Sequence, residues 1–457
     1  MKKFNVFLLA VLGVGALHAA KIEQVIVRQQ WPWSTDVKVE YKLSGVSVEN
    51  PVNLKLRAYN GTTELALPAS AVSGDLFGIE SDGIGQLMID PVAAFGQEKI
   101  ALANFKVKLE VQNAPTNINE VLYRIYCLTN GVCTDVRRSD FYAGKYGDYV
   151  ESFSAIDSGF STHLEDVLIW TGVTNNIDYK TTHLVMRKIP KGTFAYGERN
   201  DGPVRYGNEI AQVNATVTRD YYIGVFELTV AQQKYIYRGM EAVVDASADI
   251  YPLGAVPYAN YTASNAIRSR PGLSQSDSRE SNWPQWTGVY QDSFMYKLRA
   301  CTGGVKFDLP TEAQWEKAAR GGTTGIYYVS DGNEPNGTVL AKIAWCRASS
   351  PDKHRVGLKK PNAYGLYDML GNFTEYVLDW YVQNYDPAAT EGDLDDPVGP
   401  NEGTSDGTRP YRVLKGFDYL CYTETSGQNN VHVGGRLSIG HDQQNGRYGF
   451  RVCCPAE

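Results

Sequence analysis

The sequence predicts an α+β protein of two domains, an all-β sandwich followed by a larger domain that carries both helix and strand signals. Two patterns and the length predict it. Apolar and polar residues alternate with period two at Val37, Val39, Tyr41 and Leu43, at Val52, Leu54, Leu56 and Ala58, and at Phe105, Val107, Leu109 and Val111, as half-buried strands do. Helix start and stop signals appear instead in Leu309 to Gly322. At 457 residues and 43% hydrophobic content the chain holds enough apolar material for two cores.

The first twenty residues read as a signal peptide. Lys2 and Lys3 precede an apolar run from Val6 to Leu17, and small residues Ala19 and Ala20 come before Lys21. That run is too short to cross a bilayer as an ordinary helix, and no later segment looks membrane-spanning. The expectation is therefore an exported protein, periplasmic, cell-surface or secreted. The net charge of −7 becomes more negative without the two leader lysines, and no basic run appears, which argues against a nucleic-acid partner.

Residues 21–150 form the predicted sandwich. Several alternating strands, turn-rich connections and no convincing amphipathic helix point to the antiparallel immunoglobulin or fibronectin type. Gly, Ser, Asp and Asn accumulate over 151–182, which reads as a linker to a second domain at 183–457. Cys127 and Cys133 flank Asn130-Gly131. A two-residue turn there sets Cys127 opposite Thr134, whereas a five-residue loop, Leu128 to Val132, sets the two cysteines face to face; the spacing leaves both open. Export permits disulfides among the seven cysteines, with one left over.

In the second domain Thr311 and Gln314 make a T-x-x-Q capping box, Trp315, Ala318 and Ala319 share one helical face, and Gly321 can end the helix. Glu312 and Glu316 are expected to be solvated helix-surface carboxylates. His163, His183, His354, His432 and His441 show no metal-ligand spacing and read as surface or hydrogen-bonding residues. Adjacent Cys453 and Cys454 bridge only with strain, so they read as a buried thiol and a disulfide half rather than as a redox pair.

Several runs together carry a specific resemblance over residues 183 to 454. They are RKIPKGTFAYG, YYIGVFELTVAQ, LPTEAQWEKAARGG, NAYGLYDMLGNFTEYVLDWY, RVLKGFDYLCYTET and the ending YGFRV. This part of the chain resembles the formylglycine-generating enzyme family, also called the sulfatase-modifying factor family. The resemblance implies a C-type-lectin-like fold with little regular structure. It also implies a family that includes oxidases, which convert a sulfatase cysteine to formylglycine with oxygen and a Cu(I) ion held by two cysteines five positions apart, and relatives with no known chemistry.

Carried over residue by residue, Cys421 takes the place of the first copper ligand and is the one candidate catalytic residue. The position five further on is Ser426, and residues 422 to 452 contain no cysteine. A hydroxyl is a poor ligand for soft Cu(I). Gly416-Phe417-Asp418 also stands where the family has Gly-Gly-Ser. Copper is accordingly not expected. Calcium is expected, because the resemblance places a structural ion on Asp368 and Glu375 with the carbonyls of Gly371 and Phe373, an all-oxygen set that suits it. The same residues also read without a metal, with Glu375 buried against an arginine such as Arg451 and Asp368 capping a turn. A further calcium site of the family is not expected, since Lys342-Ile343 stands there. Arg436 and Arg451 match arginines that tie the end of the domain to its core.

Three function classes follow. The favoured one is a non-catalytic recognition module that binds a protein or glycan ligand at the cell envelope through the polar loops Thr390 to Thr408 and Tyr422 to Arg447. The others are a formylglycine-generating oxidase using Cys421 and a structural part of an extracellular or secretion assembly.

Overall fold

The computed structural model describes residues 20–456 apart from 115–116, 153–155, 157–166, 199–208, 240–241, 243, 246–247, 258–265, 269–288, 290, 292, 330–336, 389–393, 401–402, 406–409 and 422–430. The predicted leader up to Ala19, Ser426 and His163 lie outside the described residues. The chain divides into two compact units, 1–121 with 137–147 and 122–136 with 148–457.

The first unit is built of strands β1 (Lys21–Gln29), β2 (Val37–Ser44), β3 (Val52–Asn60), β4 (Thr63–Leu65), β5 (Val72–Gly74), β6 (Gly83–Ile89) and β7 (Phe105–Asn113). They pair as two sheets, β1-β2-β6-β5 and β4-β3-β7. Alternation does what the sequence predicts: Val37, Val39, Tyr41 and Leu43 of β2 are buried while the residues between them are less so. They meet Val52, Leu54, Ala58, Phe105, Val107 and Leu109 of the other sheet in one core. Two short helices accompany the strands, α1 (Pro91–Phe95) and α2 (Arg138–Tyr142). Asp90 caps α1 by accepting from the Val92 and Ala93 N–H groups at 2.9 and 3.1 Å. The N-terminal part is all-β apart from such turns.

The first unit ends at Gly147, and one hairpin within its sequence belongs to the second unit. Strands β8 (Val121–Cys127) and β9 (Cys133–Arg137) form a hairpin that belongs, from Leu122 to Val136, to the second unit. The reason is visible in β8, which buries residues on both faces as a central strand does. It pairs antiparallel with β10 (His183–Ile189), with Cys127 opposite His183 and Tyr123 opposite Arg187. The expected linker is likewise core from Val167 onward, because the run Val167, Leu168, Ile169 and Trp170 is buried. All seven cysteines are free thiols, Cys127 and Cys133 included.

The rest of the second unit is a mixed, sheet-dominated arrangement with short helices. Its strands are β11 (Gly192–Tyr196), β12 (Val213–Val217), β13 (Tyr221–Gly224), β14 (Thr374–Trp380), β15 (Tyr411–Lys415), β16 (Leu437–Gly440), β17 (Tyr448–Gly449) and β18 (Cys453–Pro455). One sheet runs β18-β13-β10-β8-β9, a second β16-β15-β14-β17, and β11 pairs with β12. The helices are α3 (Val230–Arg238), α4 (Phe294–Cys301), α5 (Glu312–Arg320) and α6 (Gly337–Ile343).

The α5 helix starts as predicted. Thr311 Oγ1 accepts from the Gln314 N–H at 3.2 Å and Gln314 Oε1 accepts from the Thr311 N–H at 2.9 Å. Gly321, at φ 56°, ends it in the left-handed conformation glycine tolerates. Asn362 Nδ2 then donates to the last-turn carbonyls of Ala318 and Ala319 at 2.6 and 3.0 Å. One expectation fails here: Glu312 and Glu316 are buried, because every residue of α5 is buried. Their charges are met by residues far along the chain. Arg436 Nε donates to Glu312 at 2.7 Å, and Lys415 Nζ donates to Glu316 at 3.0 Å, as does Arg320 Nη2 at 2.8 Å. Burial alone would raise the Glu316 carboxyl, but Lys415 and Arg320 outweigh it and hold it below the usual range.

Candidate functional site

Strand β14 organises the region that the sequence singles out. All seven of its residues are buried, and it pairs antiparallel with β15 and parallel with β17, which brings the segments 371–375, 415–421 and 447–451 together. Glu375, at its start, is taken by Arg451. The Arg451 Nε donates to Oε1 and Oε2 at 2.9 and 2.8 Å, and Nη2 donates to Oε1 at 2.6 Å. Trp315 Nε1 donates to Oε2 at 2.6 Å. The guanidinium also donates to the carbonyls of Gly224 and Tyr367 at 2.9 and 3.1 Å, so its fork is filled.

Asp368 is wholly buried and takes positive φ, 54°. Its Oδ2 accepts from the Gly357 N–H at 2.6 Å, whereas its Oδ1 is buried with no hydrogen-bond partner. Burial pushes its carboxyl up to about 6, against the lowering effects of the Gly357 N–H and Arg451. Glu227, which sequence reasoning did not single out, sits close by. It accepts from the Phe373 N–H at 2.9 Å and from Asn372 Nδ2 at 2.7 Å. Burial raises it far above the carboxylate range, and the charges of Asp368 and Glu375 add to that.

As a calcium site this set divides. Asp368 fits, because a desolvated carboxylate oxygen without a donor is what a cation satisfies. Glu375 does not stand free in the same way, since both of its oxygens already accept from Arg451. Among the described residues no three His, Cys, Asp or Glu side chains group closely enough to hold a metal.

Cys421 lies one turn further. Its N–H donates to the Asp418 carbonyl at 3.0 Å, and its carbonyl accepts from the Arg347 N–H at 3.2 Å. The thiol is buried, and burial with the nearby Asp418 carboxylate pushes it up to about 12. Asp418 itself pairs with Arg447, Nη1 to Oδ2 at 2.7 Å, and its Oδ1 accepts from the Leu420 N–H at 2.8 Å. The turn that delivers it holds Gly416 at φ 87° and Phe417 at φ 64°. Against the Phe417 ring lies His432, 5.6 Å between centroids, and His432 Nε2 is 2.7 Å from Glu209 Oε1.

The structure also brings a second thiol beside Cys421. Cys346 is fully buried, and the N–H of the next residue, Arg347, donates to the Cys421 carbonyl at 3.2 Å. Trp345 bridges to Gly371, and its carbonyl accepts from the Asn372 N–H at 2.8 Å; the Asn372 carbonyl accepts from the Tyr419 N–H at 3.0 Å. Segment 345–347, the turn 371–373 and the turn 418–421 therefore meet. On the Trp345 ring lie His354, 3.6 Å between centroids, and the Lys359 ammonium, 3.8 Å from the centroid. No spacing rule connects Cys346 to Cys421, and the pairing of distant turns is what reveals it. Of the two expected binding loops, 394–400, 403–405 and 431–447 are described.

Comparisons with known proteins place the chain in a family. Residues 176–455 match the model of the sulfatase-modifying factor enzyme 1-like domain. A formylglycine-generating enzyme of Streptomyces coelicolor is 30% identical over 297 residues, covering 59% of this chain and 89% of that protein. The mouse protein named inactive C-alpha-formylglycine-generating enzyme 2 is 29% identical over 155 residues, covering 32% of this chain and 43% of that protein. Among solved structures, Treponema denticola variable protein 1 aligns at a TM-score of 0.40 and 25% identity, over 60% of this chain and 96% of that one. With the motif runs gathered around β14 and α5 and the family model matched over most of the second unit, the chain belongs to the sulfatase-modifying factor family.

Proposed function

We propose that this protein is an exported, non-catalytic member of its family, a recognition or scaffold module that binds a protein or glycan ligand at the cell envelope. One observation carries the reading. The position five beyond Cys421 is Ser426, and the buried Cys421 thiol, held protonated beside the Asp418–Arg447 pair, is not prepared as a thiolate ligand. That a mouse relative is itself named inactive supports the same direction. The test is an anaerobic Cu(I) titration of the mature chain beside Cys421→Ser, with oxygen uptake on a cysteine-containing sulfatase peptide. Neither binding nor turnover is expected, and tight one-to-one binding that vanishes in Cys421→Ser, with turnover, would overturn the reading. The ligand class is then read by a glycan array and a pull-down from the envelope fraction.

The second reading, a copper-dependent oxidase that converts a protein cysteine to formylglycine, draws on one specific observation. Cys346, on the segment whose Arg347 N–H donates to the Cys421 carbonyl, is the candidate second soft donor in place of Ser426. The same titration with Cys346→Ser separates the two.

Calcium belongs to the first reading as a structural ion. The donor-less Asp368 Oδ1 supports it, with the Gly371 and Phe373 carbonyls as neutral ligands, and Glu375 sharing its carboxylate between the ion and Arg451. The C-type-lectin-like kinship of the second unit and the immunoglobulin or fibronectin kinship of the first complete the proposal. The two sheets of four and three strands in the first unit support the latter.

A further inference from the structure

We infer that Cys346 and Cys421 are a reversible dithiol–disulfide site. The two residues are held together by backbone. The Arg347 N–H donates to the Cys421 carbonyl at 3.2 Å, and Arg347 Nε donates to the Leu420 carbonyl at 2.7 Å. Adding ordinary backbone dimensions to the first link limits the two Cα atoms to at most about 8 Å apart. Disulfides span Cα separations of roughly 4.4–6.8 Å, inside that upper limit, so closure asks the two segments to sit at or move to its shorter end.

The other cysteines are placed differently. Cys453 Sγ donates to the Asp308 carbonyl, Cys301 Sγ to the Leu298 carbonyl, and Cys127 Sγ is 3.1 Å from Thr129 Oγ1. Cys454 adjoins Cys453, and Cys133 is exposed. Cys346 and Cys421 stand on distant segments that share a backbone hydrogen bond. Their roles also differ. Cys421 keeps 7% of its residue surface exposed and is assigned the first reaction with a reagent, whereas Cys346 is fully buried. Around Cys346 the Ser349 N–H donates to its carbonyl at 2.9 Å and the Ser349 hydroxyl to the Ala344 carbonyl at 2.7 Å, which fixes the turn that carries it, and burial pushes its thiol up.

The reaction is thiol–disulfide exchange with a small disulfide such as oxidised glutathione. Burial keeps both thiols protonated at neutral pH, so the exchange is slow there and runs through the small thiolate fraction of Cys421: it attacks one sulfur of the reagent, their S–S bond forms, the reagent's own breaks, and the first glutathione thiol leaves with the proton from Cys421. The Cys346 thiolate then attacks the Cys421 sulfur, the mixed disulfide breaks, and the second glutathione thiol leaves with the proton from Cys346. Two cysteines are oxidised to one disulfide, and one reagent disulfide is reduced to two thiols.

The test equilibrates the mature wild-type chain in oxidised and reduced glutathione at graded ratios, traps thiols by alkylation and maps peptides by mass. The expected result is a Cys346–Cys421 cross-linked peptide whose yield rises with the oxidised fraction and returns to two alkylated peptides on reduction. Alkylation of both residues at every ratio, or glutathione retained on Cys421 with Cys346 alkylated, would overturn the inference. Cys133→Ser, which removes an exposed thiol, is expected to leave the cross-link unchanged, and its loss in that variant would also overturn it. The mapping does not depend on the non-catalytic reading, which stands or falls on the copper titration.

Discussion

Arg451 holds Glu375 by a forked ion pair with N–O distances of 2.6–2.9 Å, and neither residue is more than 1% exposed. A guanidinium buried to this degree is stable only while its partner and the surrounding carbonyls fill its donors. Arg451 also reaches Gly224 and Tyr367, so one side chain fastens β14, β13 and the segment before Asp368 to the end of the domain.

Arg451→Met is expected to cost roughly 3–5 kcal/mol, since Glu375 is left as a buried charge without its cation. Urea unfolding followed by tryptophan fluorescence reads this. Arg451→Lys should recover only part, because a point charge cannot reproduce the fork. A loss within 1 kcal/mol for Arg451→Met would show that water reaches Glu375.

The ends of α5 make a graded pair. Thr311→Ala removes the acceptor for the Gln314 N–H and should cost about 1 kcal/mol. Asn362→Ala should cost more, because it leaves the Ala318 and Ala319 carbonyls buried without a donor and also removes the Oδ1 that accepts from the Tyr364 and Leu366 N–H groups. The reverse order in thermal denaturation would contradict this assignment.

Asp220 gives a pH signature. Burial would raise its carboxyl, but the Lys191 N–H at 2.8 Å and the Lys188 ammonium at 2.9 Å outweigh burial and hold it below the usual range. The folded state therefore binds this proton less readily than the unfolded one. The stabilisation is fully present above the ordinary aspartate pKa of about 4 and is lost as pH falls through the folded value. Asp220→Asn should flatten the acid limb of stability below about pH 4 and leave the neutral range parallel to wild type. An unchanged acid limb would remove Asp220 from the account.

Calcium removal tests the Asp368 proposal. Chelation should lower the melting temperature of the purified protein, calcium should restore it, and Asp368→Asn should abolish the difference, all read by scanning calorimetry. A melting temperature indifferent to chelator in the wild type would mean that Arg451 alone balances this cluster.

Local signals were readable in the sequence where they depend on near neighbours. The strands around Val37 and Phe105, and the Thr311 box with its Gly321 stop, appear as expected because alternation and capping involve residues within a few positions. Glu312 and Glu316 were misplaced for the opposite reason, since their partners Arg436 and Lys415 arrive from the segment before β16 and from β15 respectively. The hairpin around Asn130 was legible as a turn, but not the sheet it joins, which is settled by β10. In the candidate site, Asp368, Gly371, Phe373, Glu375 and Cys421 cluster around β14, whereas Glu227 and Cys346 carry no local signal.

The short strand β18 pairs with β13, and Cys453 bridges to Asp308, so residues 448–455 supply an edge of the five-stranded sheet and Arg451 beside it. Without them β13 offers an unpaired edge and Glu375 lacks its cation. The second unit is therefore closed by contacts between residues far apart in the sequence, and a chain truncated before residue 448 should be protease-sensitive in that unit.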